Sequence, residues 1–525
     1  MIPSAFPHLS TLILFPWLAA AGLAFIRDVR KAKLIALGSA VFELLLSLSL
    51  LARFDFTSDK MQFTERHAWI PSLDIDYALG VDGLSVLFPA CTALLTLAVL
   101  LASWTSVQSM ARLYLGFILF LEGITTGVFC ALDMALFFLF WELTLIPIYF
   151  LISLWGIGPR RRAAATQYTL FMLVGGAFLL FGIILLALNH AEINDLSVPA
   201  GMTFNYLDLL ATQSTSETQT VVFFLLFLGF AIKTPLFPFH TWLPMIAMEG
   251  PTGLTALLTG LKLGAYALLR FAVPLAPEAA IRYRWLLAGL GAIGLVYGAL
   301  LALRQSNLRR LLAYASISHV GVVVVALSTM NIQGVQGAIF QLVNFSLISA
   351  GLFLLAGFLR QRLGSTELTS LGGLAQALPL LTSCVFVLGL AGIGVPGTNG
   401  FAAELLIILG TFEAHTGLGL AILLGMILNA AYFLGFFRRA FLGPVARDHI
   451  HQAMDLRPRE LIIAASLATL CLVIGSFPRM ITSVTETTAL AWVKRAGGAF
   501  PDHPSAFAKL DEHDGYPRPD DREKR

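Results

Sequence analysis

Cysteine and charge are what this 525-residue chain has little of. Its four cysteines, Cys91, Cys130, Cys384 and Cys471, lie far apart in apolar stretches, with no CxxC pair and no histidine at ligand spacing. They read as small buried hydrophobes, which argues against disulfide, zinc and iron–sulfur roles. Only 12% of residues are Asp, Glu, Lys or Arg, about half the share of an average soluble domain. Neither sign dominates: 34 Lys and Arg against 31 Asp and Glu leave a formal charge of +3, with the basic residues in short clusters. A nucleic-acid partner is therefore not expected. No GxGxxG follows a strand, no Walker A sequence occurs and no paired histidines suit haem, so no cofactor is expected in this chain.

What the chain has instead is hydrophobicity, at 57% of residues and a mean hydropathy of +0.81. Apolar runs of about 20 residues are long enough to cross a bilayer as helices, and about fourteen are present. They extend from 10–26 to 460–478, and the run 401–437 is long enough to be tilted or read in two pieces. The expected class is an all-α polytopic membrane protein embedded in a lipid bilayer. Pro3, Pro7 and His8 precede the first run where a signal peptide has basic residues, so that run reads as a retained span.

Lys and Arg are retained on the cytoplasmic side during insertion, so alternate loops test the count. One set, including Arg27, Lys31, Arg160, Arg161, Arg162, Arg310, Arg360, Arg438 and Arg447, holds eighteen; the other, with Arg53, Lys60, Arg66, Arg270, Arg282 and Arg284, holds six. An inner-membrane protein with both termini on the non-cytoplasmic side is expected. The polar end PRPDDREKR reads as a disordered tail.

Two spans carry breaks, at Lys233–Pro238 and Gly392–Gly400. Broken backbone at membrane depth survives only when buried in protein or lining a watery cavity. Both breaks fall near the fourth span of a five-span block, as in transporters built from internal repeats; on pattern alone, two proline kinks without further meaning fit equally well.

Ionisable residues that cannot reach an interface cost about 2.5–3.5 kcal/mol each on insertion scales. Glu142 is mid-span, Lys233 sits at the first break, Lys262 lies in the middle of the next span, His319 follows Ser316-Ile317-Ser318, and Glu404 begins the helix after the second break. A carboxylate and a lysine buried together exchange protonation state as their separation changes, which is proton-relay chemistry. The alternatives are a static ion pair for Glu142, Lys233 and Lys262, and a hydrogen-bonded core residue for His319. Glu122 and Glu43 lie inside their spans as contact or connecting residues, and His240 is expected near the membrane surface.

The segments FFLFWELTLIPIYFLISLWG (137–156), KTPLFPFHTWLP (233–244), LKLGAYALLRF (261–271), LRRLLAYASISHVG (308–321) and PGTNGFAAELLI (396–407) together resemble the antiporter-like membrane subunits of respiratory complex I, NADH:quinone oxidoreductase, of the subunit M type. The resemblance runs from the first span to about residue 480. It implies fourteen transmembrane helices with two inverted five-helix repeats and broken helices. The chain then divides into 1–110 with the first three spans, 111–275 and 276–440 as the two repeats, 441–495 with the last span, and the tail 496–525. The resemblance also implies one proton channel, with Glu142 and Lys233 as the modulated pair, Lys262 and His319 along a central hydrophilic axis, and Glu404 at the exit. Flavin, iron–sulfur clusters and quinone are expected in partner subunits, and the partners are the other membrane subunits of such an assembly.

Several positions depart from the family pattern: Met245 and Ala247–Met248 replace an acid and a second histidine region, Asn344 stands where a histidine is usual, and Asn307 and Arg309 alter the start of the next motif. Asn344 can hold a water but cannot titrate. These changes keep other readings open, namely a subunit of a cation/proton antiporter, of a membrane-bound hydrogenase or of an inorganic-carbon uptake complex using the same path, and a spacer that no longer pumps.

Overall fold

The computed structural model describes residues 2–3, 6–445 and 448–497. Arg447 and, beyond Gly497, the expected polar tail lie outside them. Lipid offers the backbone no hydrogen bonds, so apolar runs of this length must be helical. The described residues form thirteen helical segments long and apolar enough to cross a bilayer. The apolar helix Pro379–Ile393, at 15 residues, is shorter, and with it the number reaches the expected fourteen. It stops at Gly394, whose φ of 78° a side chain rarely adopts, and the chain resumes as Asn399–Ala414. The long run 401–437 thus belongs to two helices, Asn399–Ala414 and Thr416–Phe441, which part at His415.

Burial sorts the spans. Of the apolar window in Thr252–Leu275, 94% is buried, and 89% in Leu308–Ser328 and in Ile332–Leu363, against 33% in His8–Phe25 and Val29–Ala52. The first three form the centre and carry Lys262, His319 and Asn344; the last two turn Leu18, Leu34 and Leu45 outward.

Hydropathy gave no sign of a small sheet between the second and third helices. Gln62–Ile70 and Ile75–Val81 pair antiparallel, and Ile2–Pro3 adds a parallel strand. The hairpin caps helix starts, whose first N–H groups lack intrahelical partners. Glu65 accepts from Leu9 N (2.8 Å) and Ser10 N (3.0 Å). Asp133 accepts from Ala135 N and Leu136 N at the next such start, and from Asp76 N of the hairpin. After Pro458–Ser476 a further helix, Arg479–Gly497, packs at this end; Trp492 Nε1 donates to Leu269 O (2.8 Å) and Thr488 Oγ1 accepts from Gly83 N (3.1 Å).

Arg270, counted above as a loop charge, is instead a core residue. It lies in the π-helical turn Leu268–Ala272, 3% exposed, with Nη1 2.5 Å from Asp82 Oδ2.

Candidate functional site

Pro147 has no N–H to offer Leu143 O, and the helix starting at Met134 is interrupted at Thr144 before it continues as Leu145–Trp155. Lys233 ends the helix Ser216–Lys233 at the first break. Its Nζ donates to Thr144 Oγ1 (2.9 Å) and Trp141 O (3.1 Å) and stands 4.0 Å from the Trp141 ring centroid. The lysine is therefore anchored on both sides of Glu142 in sequence, yet no ion pair within 4.0 Å joins it to that carboxylate. Glu142 is half-buried, its Oε1 has no hydrogen-bond partner, and it lies against Gly176, where a Cβ would come within 2.0 Å of Oε1.

Lys262 is not inside an intact helix. The segment breaks at this residue (φ −84°, ψ 65°), between Thr252–Gly260 and Leu263–Ala267. Leu261 and Leu263 line a cavity of about 30 Å³ that Lys233 also lines. Lys262, between them, turns the other way: its Nζ donates to Ser316 Oγ at 2.5 Å and lies 5.3 Å from the Phe345 ring centroid. Ser316 in turn lines a second cavity of about 30 Å³ with His319, Asn344, Asn429 and Tyr432. Each cavity has room for about one water, with a few polar side chains in an otherwise apolar wall.

His319 Nε2 accepts from Asn429 Nδ2 at 2.9 Å, and the same amide donates to Gly392 O at the second break. Asn344, at the departing position, exchanges hydrogen bonds with Asn399, through Nδ2 to Asn399 O (3.1 Å) and Oδ1 from Asn399 Nδ2 (2.7 Å). This amide pair ties the central helix to the start of the half-helix that carries Glu404. Glu404 is 3% exposed, its Oε2 is unbonded, and it lies against Gly394, where a Cβ would stand 1.9 Å from Oε2. Tyr432 Oη is also unbonded.

The five expected residues thus fall into three groups: Glu142 near Lys233, Lys262 through Ser316 to the cavity of His319, and Glu404 on the helix that Asn344, in that cavity's wall, ties down through Asn399. Sequence reading missed Thr144, Ser316, Asn429 and Tyr432. Asn429 had a signal, as a lone amide in the run Thr416–Phe441; the others look like ordinary span residues. Arg309 is 1% exposed and caps the carbonyl end of Trp242–Glu249, donating to Met248 O (3.3 Å) and Gly250 O (2.9 Å). His240 is enclosed within the protein, with Nδ1 unbonded.

Residues 131–429 match the family described as NADH:quinone oxidoreductase/Mrp antiporter, transmembrane. NADH-quinone oxidoreductase subunit M of Rhodobacter capsulatus is 36% identical over 487 residues, 91% of this chain and 94% of that protein. Respiratory complex I from Thermus thermophilus contains a chain that superposes with a TM-score of 0.84 at 33% identity, covering 93% of this chain and 100% of that one. The Mrp complex from Dietzia sp. shares the fold, with a TM-score of 0.78 at 22% identity over 92% of this chain and 52% of that one. The chain belongs to the antiporter-like membrane subunits of NADH:quinone oxidoreductase, the family of subunit M.

Proposed function

We propose that this chain is a proton-translocating membrane subunit of a complex I-type NADH:quinone oxidoreductase. It works as part of that enzyme, alongside other membrane subunits, while flavin, iron–sulfur clusters and quinone belong to partner chains. The observation that carries this reading is the series of ionisable side chains at breaks in buried helices: Lys233 at the first break, Lys262 at its own, and His319 bonded through Asn429 to the second.

The contacts support a relay. Lys233 Nζ has neutral acceptors in Thr144 and Trp141 and an acidic neighbour in Glu142, between those two residues in sequence. Moving toward Glu142 favours the ammonium, and moving away into the apolar interior favours the amine. A change of field at this pair therefore moves a proton on or off Lys233. Lys262, through Ser316 and the water-sized cavity, passes it toward His319 and Glu404.

On this reading 111–275 and 276–440 are inverted repeats flanked by 1–110 and 441–495, and the protein spans the inner membrane with both termini on the non-cytoplasmic side. The antiporter-type reading shares the fold but has the lower identity, and the amide at Asn344, which cannot titrate, is the feature that favours a specialised paralogue.

The test is isolation of the native complex in mild detergent, with its companions identified by mass spectrometry and its activity measured. Flavin- and iron–sulfur-bearing companions with NADH:quinone activity and proton uptake support the proposal. Antiporter subunits alone, or one large soluble partner with transport dependent on sodium or bicarbonate, contradict it.

A further inference from the structure

Glu122 belongs to none of the groups above, and no structural role accounts for it. It lies on the helix Ala111–Cys130, is 3% exposed, and neither carboxyl oxygen has a hydrogen-bond partner. It caps no helix and is absent from the ion pairs among the described residues. A buried carboxyl in this condition is stable as the neutral acid, and as the anion only when water or a cation comes to it.

Glu122 faces such a supply. It lines the same 30 Å³ cavity as Lys233, together with Thr144, Thr96 and Thr125 and leucines of 257–263. The cavity, not a contact, joins the acid to the lysine, and Thr96, Thr125 and Thr144 are the hydroxyl-bearing residues beside them in its wall. Lys233 therefore has carboxyl neighbours on two different helices, Glu142 against Gly176 and Glu122 across the cavity. The helix Val29–Ala52 packs on that of Glu122 and carries Glu43, 1% exposed with Oε1 unbonded. Two buried acids on neighbouring helices disfavour each other's ionised form, which favours keeping a proton between them.

We propose that Glu122, backed by Glu43, is a second proton acceptor for Lys233, reached through the cavity the two side chains share. The inference rests on the relay reading above and adds a branch to it. In the step, an Nζ–H bond of the ammonium breaks, a cavity water takes that proton and gives one of its own to Glu122, and an Oε–H bond forms. An ammonium and a carboxylate become an amine and an acid, and the net charge is unchanged. The reverse step reloads Lys233 when it swings back toward Glu142.

The experiment uses the intact complex in inverted membrane vesicles, carrying Glu122→Gln, Glu122→Asp or Glu142→Gln, with proton uptake normalised to complex assembled on native gels. Gln keeps the shape of the side chain and removes its titration. Glu122→Gln should lower proton uptake about a hundredfold, at the low end for a lost acid–base group, and Glu122→Asp should restore part of it. Normal uptake in Glu122→Gln, with Glu142→Gln inactive, overturns this inference alone; normal uptake in Glu142→Gln overturns the relay reading. If Glu122→Gln fails to assemble, infrared difference spectra of the Glu122→Asp complex decide. A shifted carboxylic C=O band on reduction supports the proposal, and an unshifted spectrum overturns it.

Discussion

Lys233 hydrogen-bonds Thr144, 2.9 Å away, and not Glu142 two residues earlier in the same broken span. The lysine is thus held beside its acid by a neutral hydroxyl and a carbonyl, a position from which it can move either way.

Thr144→Val removes that hydroxyl at nearly constant volume. A hydrogen bond to a charged group is worth about 1.5–3 kcal/mol, so proton uptake should fall about tenfold, and Thr144→Ser should keep it. Uptake assays in inverted vesicles check this. Equal uptake in the Val and Ser variants would mean that the contact is incidental.

Glu142 and Glu404 each rest on a glycine. At Gly176 an added Cβ would stand 2.0 Å from Glu142 Oε1, and at Gly394 it would stand 1.9 Å from Glu404 Oε2. Gly176→Ala should displace Glu142 and lower proton uptake while the complex still assembles. Gly394→Ala should also reduce the amount of assembled complex, because φ is 78° there and a side chain at positive φ costs about 1 kcal/mol or more. Native gels paired with uptake assays separate the two effects.

Lys262→Ala should abolish proton uptake, whereas Lys262→Arg should retain a fraction, since a guanidinium still reaches Ser316 but gives up its proton far less readily. His319→Ala should be milder, because Asn429 remains to hold water in the cavity. Uptake rates in the three variants, ordered otherwise, would contradict the route through Ser316.

The buried pair Arg270–Asp82 serves stability. Asp82→Asn leaves a guanidinium without its anion, at a cost of about 3–5 kcal/mol, and replacing both partners by apolar residues should recover much of it. Thermal unfolding of the purified complex reads this directly. Unchanged unfolding in Asp82→Asn would show that the pair is not needed.

Hydropathy and charge made the spans legible because lipid forces the backbone into helices, and the cost of burying charge singled out Glu142, Lys233, Lys262, His319 and Glu404. The break at Lys262 escaped because no proline marks it; Gly260 and Gly264, which flank it, are common enough inside membrane helices that they do not announce a break. The hairpin escaped because Gln62–Ile70 lacks a clean apolar alternation and is held by Glu65 at the far helix start. Thr144, Ser316 and Tyr432 gain meaning only from what faces them, which one chain's residue order does not reveal. Arg270 looked like a loop charge because its partner, Asp82, is 188 residues away.

The most direct test of the account is proton uptake by the assembled complex carrying Glu142→Gln, which keeps the side chain's shape and removes its charge. The account predicts an assembled complex whose coupled proton uptake is abolished. Uptake equal to that of the unaltered complex would contradict it, because the lysine at Thr144 would then need no acid beside it.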